Sequence, residues 1–141
     1  MNSLEQTLSI IKPDAVERNL AEKIKNKFLE NNLAIKSQKK IQITREEAAE
    51  FYKVHQTKPF YDRLCNYLSS GPIVVMILEG ENAITLNRKI MGATDPKKAD
   101  KGTIRKEFAL NIQENSVHGS DSPENAKIEV DYFFDKSEII I

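Results

Sequence analysis

The spacing of hydrophobic residues changes several times along the chain, and each spacing predicts a different element. Residues 7–11 form a short apolar run that ends before Lys12 and Pro13, which is typical of a buried strand. Apolar residues at helical spacing predict a helix over residues 20–30. Alternation predicts a second strand over residues 35–43, with one face formed by Ile35, Ser37, Lys39, Ile41 and Ile43.

The middle of the chain alternates between helical patterns and breakers. Thr44 and Glu47 have the spacing of a capping box, so a helix is expected to begin here and to reach His55. Residues 57–59 interrupt it, another helix runs to about Leu68, and a strong breaker follows. A further helix is expected over residues 83–90, closed by Gly92.

Residues 73–78 are six consecutive apolar residues, Ile-Val-Val-Met-Ile-Leu. A run of this kind is typical of a strand that is covered on both faces. Because one small domain does not always shelter such a strand, the run suggests a contact between subunits.

No single period persists over residues 93–113, although residues 104–112 allow a local turn of helix. An irregular connection of this length is more often functional than idle. The last helix begins after Ser122, a good N-cap, with Pro123 at its first position. The order strand, helix, strand, helix pair, strand, helix, strand, helix predicts an α+β sandwich.

The composition is that of an ordinary globular protein, and residues 1–141 are expected to form one domain. The 21 basic and 21 acidic side chains cancel, so the charge does not favour nucleic-acid binding as the main role. Cys65 is the only cysteine, which excludes a disulfide within the chain.

The chain carries no pattern of a membrane protein. Its first six residues lack the basic and then apolar order of a signal peptide, and its longest apolar run is too short to span a bilayer. We therefore expect a cytoplasmic location and no membrane partner.

His118 lies between Val117 and Gly119, just before the start of the last helix, and we expect it on a tight turn. A helix N-terminus favours anions, and a histidine beside one can act as acid, base, nucleophile or metal ligand. A turn histidine bonded to a backbone carbonyl is the plainer interpretation. The only other histidine, His55, is not at metal-ligand spacing, so a zinc site is disfavoured.

Three cations have suggestive positions: Lys12 at a strand-to-helix junction, Arg88 near a helix end and Arg105 in the long connection. Both residue types bind phosphate, although most such residues are simply exposed. Phe60 stands at a loop edge, where an aromatic face can stack on a base. The residues alone therefore lead to an anion site around His118 and no further.

Five blocks of sequence, with the segment around His118, resemble those of the nucleoside diphosphate kinases. The blocks are residues 11–16 (IKPDAV), 58–60 (KPF), 69–72 (SSGP), 91–96 (MGATDP) and 102–105 (GTIR). Residues 115–122 (NSVHGSDS) match the family's active-site signature. The resemblance extends from Thr7 to about Phe134.

The resemblance implies a ferredoxin-like α/β sandwich with a four-stranded antiparallel sheet covered by helices. It also implies transfer of the γ-phosphoryl group from a nucleoside triphosphate, usually ATP, to a nucleoside diphosphate. In the implied ping-pong cycle, His118 carries the phosphate and Glu129 orients the imidazole. The other residues that match catalytic positions are Tyr52, Ser120 and Lys12.

The same resemblance assigns the nucleotide contacts. The matched phosphate clamp is Lys12, Arg88, Thr94 and Arg105. Asn115, with Lys12, matches the ribose contacts, and Phe60 and Ile112 match the two sides of the base slot. No residue is assigned to a metal, because Mg²⁺ is expected to be held through the nucleotide phosphates.

The chain departs mildly from the family pattern. Lys58 stands where arginine is frequent, Tyr61 where phenylalanine is common, and Ile112 where valine is often found. The chain ends soon after Phe134, without the longer C-terminal segment of many eukaryotic members, which fits a bacterial-type chain. A homo-oligomer built from dimers, hexameric or tetrameric, is expected from the family's habit of assembly.

Two other functions compete with an active kinase. One is an inactive nucleotide-binding or scaffolding relative, which is disfavoured because every matched catalytic position is present. The other is nucleic-acid binding as the main role, which the zero net charge disfavours.

Overall fold

The computed structural model describes residues 4–111 and 114–134. Its strands are β1 (Leu4–Ile11), β2 (Ala34–Ile41), β3 (Ile73–Glu81) and β4 (Val117–Gly119). They form one antiparallel sheet in the order β2-β3-β1-β4. The short β4 pairs with the last residues of β1.

Helices cover both faces of the sheet. The helices are α1 (Pro13–Glu17), α2 (Ala21–Glu30), α3 (Arg45–Phe51), α4 (Tyr61–Leu68), α5 (Ala83–Met91), α6 (Ile104–Phe108) and α7 (Pro123–Phe133). The apolar core on one face includes residues of α3, α4 and α7, and the core on the other includes residues of α1, α2, α5 and α6. The predicted α+β sandwich with a four-stranded antiparallel sheet is therefore confirmed.

The six apolar residues of β3 are divided between the two cores. Ile73, Val75 and Ile77 belong to one core, and the alternate residues belong to the other. All six are 6% exposed or less, and β3 is paired with β2 on one side and β1 on the other. The chain's own helices shelter this strand, so the suggestion that it needs a second subunit is wrong.

The predicted common face of β2 is also wrong. A β-bulge shifts the register between Ile35 and Ser37, which breaks the alternation. Ile35 therefore packs with the core around Leu78, whereas Ile41 packs with the opposite core. The strand ends at Ile41, and Ile43 lies beyond it.

The helix boundaries follow the capping chemistry closely. The Thr44 side chain accepts a hydrogen bond from the Glu47 amide at 3.1 Å, and the Glu47 carboxylate accepts one from the Thr44 amide at 2.9 Å. The predicted capping box is confirmed, but α3 ends at Phe51 and a 3-10 turn (Lys53–His55) follows. The helix α1 begins at Pro13, where a strand-to-helix junction was expected after Lys12, although no bounds were predicted for this short helix.

Within residues 4–111 and 114–134, no helix combines the length and apolar character that crossing a membrane requires.

Candidate active site

His118 lies in β4, opposite Ile10 of β1, and not on the tight turn that the sequence predicts. Its flanking residues satisfy their backbone groups by pairing with β1, which extends the sheet by one short edge strand. The imidazole packs edge-on against Phe51 of α3, with ring centroids 5.2 Å apart. Its Nε2 is 2.9 Å from Oε1 of Glu129, so its partner is a carboxylate and not a backbone carbonyl.

Glu129 reaches His118 because of where α7 begins. The Ser122 side chain caps the helix by accepting from the Asn125 amide at 3.1 Å, with Pro123 at the first helical position. Oε1 of Glu129 also accepts from the Ser120 hydroxyl at 2.7 Å. When the Glu129 carboxylate is ionised it only accepts hydrogen bonds, so in the neutral imidazole that bonds it Nε2 carries the hydrogen and Nδ1 keeps its lone pair.

Ser120 joins this pair to the central sheet. It is fully buried, its amide donates to the Leu8 carbonyl at 3.2 Å, and its hydroxyl accepts from the Leu8 amide at 3.4 Å. The hydroxyl therefore accepts from β1 and donates to Glu129, which ties the carboxylate to the most buried part of the fold.

Lys12 directly follows β1 and is 6% exposed. Its ammonium donates to Oδ1 of Asn115 at 2.9 Å, and its amide donates to the Ser116 carbonyl at 2.8 Å. Burial, with the nearby positive charge of Arg105, lowers the pKa of Lys12 to about 7, and the charge of Asp14 opposes this shift. The amide of Asn115 is neutral, so this bond leaves the ammonium's charge uncompensated.

Arg105 is held by two backbone carbonyls. Its two terminal nitrogens donate to Gly92 at 3.1 Å and to Val117 at 2.9 Å, and its buried Nε has no hydrogen-bond partner among the described residues. Burial and the charge of Arg88 lower the pKa of Arg105 to about 10. The contact requires glycine at position 92, where φ is +86° and an added Cβ would lie 2.5 Å from Oγ1 of Thr103.

Tyr52 and Arg88 stand close enough to these groups to affect their charges. Tyr52 is buried, and its pKa is raised by burial, with smaller effects of the Cys65 and Glu129 charges. Arg88 is exposed in the last turn of α5, and its positive charge acts on both Arg105 and Asp121.

Asp121 is a site residue that the sequence reasoning did not assign. A hydrogen bond from the Asn125 side chain lowers the pKa of Asp121, and the charges of Arg88 and His118 lower it further. Its place in the matched segment was visible, but nothing in the sequence shows which charges surround it.

The remaining predicted residues lie outside the hydrogen-bonded cluster. Thr94 is exposed on a bend after α5. Phe60, at the N-cap of α4, is 43% exposed, with its ring 5.9 Å from that of His55. Ile112, the other predicted wall of the base slot, lies outside the described residues. The structure thus forms two hydrogen-bonded groups, Lys12 with Asn115 and Glu129 with His118 and Ser120. Arg105 lies between them, because it donates to the Val117 carbonyl beside His118 and its charge acts on Lys12.

The site is rich in cations and poor in metal ligands. In the two described ranges, no group of three or more histidine, cysteine, aspartate or glutamate side chains could hold a metal ion. A nucleophilic ring nitrogen beside buried positive charge suits the transfer of an anionic group.

Comparisons with known proteins agree with this chemistry. The family described as nucleoside diphosphate kinase matches residues 5–139. The chain is 57% identical to a nucleoside diphosphate kinase of Ruegeria pomeroyi over 138 residues, which cover 98% of this chain and 99% of that protein. It is 56% identical to one of Granulibacter bethesdensis, with the same coverage.

A solved structure matches as well. The crystal structure of the Aquifex aeolicus nucleoside diphosphate kinase superposes with a TM-score of 0.95 at 41% identity. The match covers 97% of this chain and 99% of that one.

Proposed function

The chain belongs to the nucleoside diphosphate kinase family and transfers phosphate between nucleotides, and we propose that it does so through a phosphohistidine at His118. The observation that carries the proposal is the bond between Nε2 of His118 and Glu129 at 2.9 Å. It leaves Nδ1 as the nitrogen with a free lone pair, and it places a negative charge behind the ring.

The proposed reaction has two half-steps. In the first, Nδ1 of His118 attacks the γ-phosphorus of a nucleoside triphosphate, ATP being the usual donor. The N–P bond forms as the bond to the bridging oxygen breaks, and the nucleoside diphosphate leaves. In the second, the terminal phosphate oxygen of another nucleoside diphosphate attacks the same phosphorus and frees the imidazole. Glu129 stabilises the positive charge that the ring gains in the phosphorylated state.

The cations have the complementary role. Phosphoryl transfer depends mainly on positioning and on stabilising charge at the phosphate oxygens. Lys12 and Arg105 are buried cations, and no carboxylate within residues 4–111 and 114–134 is bonded to either of them. Arg88 adds an exposed charge beside Arg105. We propose that these three, with Thr94, bind the phosphates.

The nucleoside is proposed to bind through its sugar more than its base. Asn115 and Lys12 are hydrogen-bonded to each other and can both bond a ribose 3′-hydroxyl. Phe60 offers a half-exposed ring that can stack on any base, with Ile112 as the opposite wall. We therefore expect all common bases and 2′-deoxy sugars to be accepted, and 3′-deoxy sugars to be accepted poorly.

Mg²⁺ is proposed to enter with the nucleotide. The cation-rich site fits a metal held by phosphate oxygens better than one held by a cage of protein ligands. The bound ion would neutralise part of the phosphate charge during transfer.

A labelling experiment tests the proposed mechanism. The protein is incubated with γ-³²P-ATP and Mg²⁺, and a nucleoside diphosphate is then added. We expect a labelled protein that releases its label to the diphosphate, with a phosphoryl bond that is labile in acid and stable in base. His118→Ala should remove the label and lower turnover by several orders of magnitude, whereas His55→Ala serves as the control. Undiminished labelling of His118→Ala would refute the assignment.

The assembly and location are also proposals. We propose a homo-oligomer built from dimers, hexameric or tetrameric. The proposal rests on the family's habit of assembly alone, because the chain's own helices cover the apolar residues of β3. Light scattering should give a multiple of 16.1 kDa, and a fully active monomer would contradict this. We propose a cytoplasmic location, which the buried free thiol of Cys65 suits. The inactive scaffolding alternative is not favoured at this identity and coverage.

A further inference from the structure

A buried carboxylate, that of Asp14, stands two residues after Lys12 and takes no part in the proposed reaction. The side chain of Asp14 is 2% exposed. Its Oδ1 accepts from the Tyr67 hydroxyl, and its Oδ2 accepts from the Ser116 hydroxyl and from Arg18, each at 3.1 Å. A buried carboxylate that accepts hydrogen bonds from three side chains is held in a defined position.

The three donors come from separate parts of the fold. Tyr67 lies in α4, Arg18 caps the C-terminus of α1, and Ser116 directly precedes β4. The backbone of Asp14 is fixed as well, since its amide donates to the Tyr67 oxygen at 3.0 Å and its carbonyl accepts from Nε of Arg18 at 3.2 Å. Asp14 therefore joins α1, α4 and the segment before β4.

Ser116 shows that the segment before β4 is held in an unfavourable conformation. Its φ is +73°, a region that non-glycine residues seldom adopt. The hydroxyl bond to Asp14 and the bond from the Lys12 amide to its carbonyl, at 2.8 Å, both hold it there. The residue before Ser116 is Asn115, whose side-chain oxygen accepts a hydrogen bond from the Lys12 ammonium. The backbone at Ser116 therefore helps to set the direction of the Asn115 side chain.

The charge of Asp14 also favours the protonated form of Lys12. Burial lowers the pKa of Lys12 to about 7 with help from Arg105, and Asp14 is the group that opposes the shift. An ammonium has three hydrogens, whereas the neutral amine has two and a weaker polarity. Asp14 thus favours the form of Lys12 that donates both to Asn115 and to a ligand.

We propose that Asp14 is a positioning residue, whose carboxylate holds Lys12 and Asn115 in the geometry that recognises the ribose 3′-hydroxyl. The inference rests on the proposed function, since it assumes that these two residues bind the sugar. Asp14 itself touches neither the nucleotide nor the phosphorus. Its effect is transmitted through the Ser116 backbone and through the position of the Lys12 side chain.

Sugar selectivity measures this role better than activity does. The ratio of kcat/KM for GDP to that for 3′-deoxy-GDP does not depend on the fraction of folded protein. We expect the unaltered protein to prefer GDP by at least about 10–100-fold, because the 3′-deoxy sugar leaves buried hydrogen-bonding groups of the site without a partner. Asp14→Asn, which keeps the shape and removes the charge, should lower this ratio at least about threefold, and Tyr67→Phe should lower it less.

Ser116 provides a matched pair that separates the bond from the backbone strain. Ser116→Ala removes the hydroxyl and keeps a Cβ, whereas Ser116→Gly removes the hydroxyl and also relieves the positive φ. If the bond to Asp14 sets the geometry, both variants should lose selectivity. Thr44→Ala, which removes an N-cap of α3 elsewhere, is the control for general destabilisation and should keep the ratio.

The outcomes distinguish this inference from the proposed function. Labelling of His118 by γ-³²P-ATP is measured in every variant. Labelled Asp14→Asn, Ser116→Ala and Ser116→Gly proteins with an unchanged ratio would overturn the inference and leave the phosphohistidine standing. If Asp14→Asn does not fold, the two Ser116 variants and Tyr67→Phe decide in the same way. Equal use of GDP and 3′-deoxy-GDP by the unaltered protein would overturn the inference together with the sugar contact.

Discussion

The two halves of the site differ in how the chain satisfies their charges. In the half that holds the proposed nucleophile, which comprises His118, Glu129 and Ser120, each side chain has a hydrogen bond of 2.9 Å or shorter to another of the three. We call this group the nucleophile half. In the cation half, which comprises Lys12 and Arg105, the charges are buried, the partners are neutral and one guanidinium nitrogen has none. Burial without a bonded opposite charge is unfavourable and lowers both pKa values.

The difference indicates that the two halves have different tasks. In the proposed mechanism the nucleophile must hold one orientation before substrate arrives, and the bond from Nε2 of His118 to Glu129 already fixes the ring. Buried cations that lack anions gain most from an anionic ligand, so their unfavourable charge becomes binding free energy when phosphate enters. Each half can be altered without changing the other.

Replacing the buried ammonium should give the largest effect. Lys12→Met should lower kcat/KM by about 10²–10³-fold, because it removes a positive charge at the phosphates. The same change should stabilise the nucleotide-free protein at pH 6–7 by about 1–3 kcal/mol, since a buried charge is removed.

The sign of the stability effect depends on pH. The unfolded chain binds more protons than the folded one between about pH 7 and pH 10.5, so the stability of the unaltered protein rises across that window. The advantage of Lys12→Met should therefore shrink as the pH rises. Thermal denaturation measures this, with the exposed Lys23→Met as control. A less stable Lys12→Met protein at pH 6 would contradict the comparison.

Altering the nucleophile half should have a smaller effect on rate and the opposite effect on stability. Glu129→Gln keeps an acceptor for Ser120 and His118 but removes the charge, so kcat should fall about 10–100-fold, or roughly 1.4–2.7 kcal/mol. The protein should lose stability, because these bonds are already complete without nucleotide. Steady-state kinetics and thermal denaturation check both effects, with the exposed Glu124→Gln on the same helix as control. A variant with raised stability and undiminished kcat would remove the distinction between the halves.

Phe60 tests whether the base adds less than the phosphates. Phe60→Ala should raise KM about 5–150-fold for every base, since stacking contributes about 1–3 kcal/mol and each base has a π-face. Leu29→Ala, at another exposed hydrophobic residue, should leave KM unchanged. Initial rates with ADP, GDP, CDP and UDP provide the measurement, and a loss confined to one base would argue against a general stacking surface.

The mildest test is the pH dependence of the unaltered protein. Lys12 loses its positive charge as the pH rises through about 7, so kcat/KM for the nucleotide should fall above that pH, by up to about tenfold per unit. In Lys12→Met the same limb should be absent. An unaltered protein whose kcat/KM stays flat from pH 6 to pH 9 would contradict the lowered pKa of Lys12, because kcat/KM reports the ionisation of the free protein.

Sequence reasoning predicted the elements that depend on local chemistry. The capping box at Thr44 and the start of α7 at Ser122 follow from hydrogen bonds between residues three apart. The six apolar residues of β3 were correctly expected to be covered on both faces. The resemblance supplied the family, and the comparisons confirmed it.

Other features depend on contacts that no local pattern contains. The bulge in β2 reverses the side on which Ile35 packs, because one extra residue changes the register with β3. His118 enters a strand only because β1 is available as its neighbour. The roles assigned to the site residues stay predictions. Several of these residues are nevertheless hydrogen-bonded to one another in the structure.

By itself, the sequence determined the spacing of apolar positions within each element and the caps of the helices, since both depend on neighbours within a few positions. It also showed the residue types that suit phosphate. The tertiary structure alone decided which charges are buried together. Asp14 and Ser116 share a hydrogen bond at 3.1 Å although they are 102 positions apart in the sequence. No helix or turn joins residues so distant. Burial is a property of the whole packed chain, so the unpaired charges of Lys12 and Arg105 become visible only when the sheet and its two helical layers are assembled.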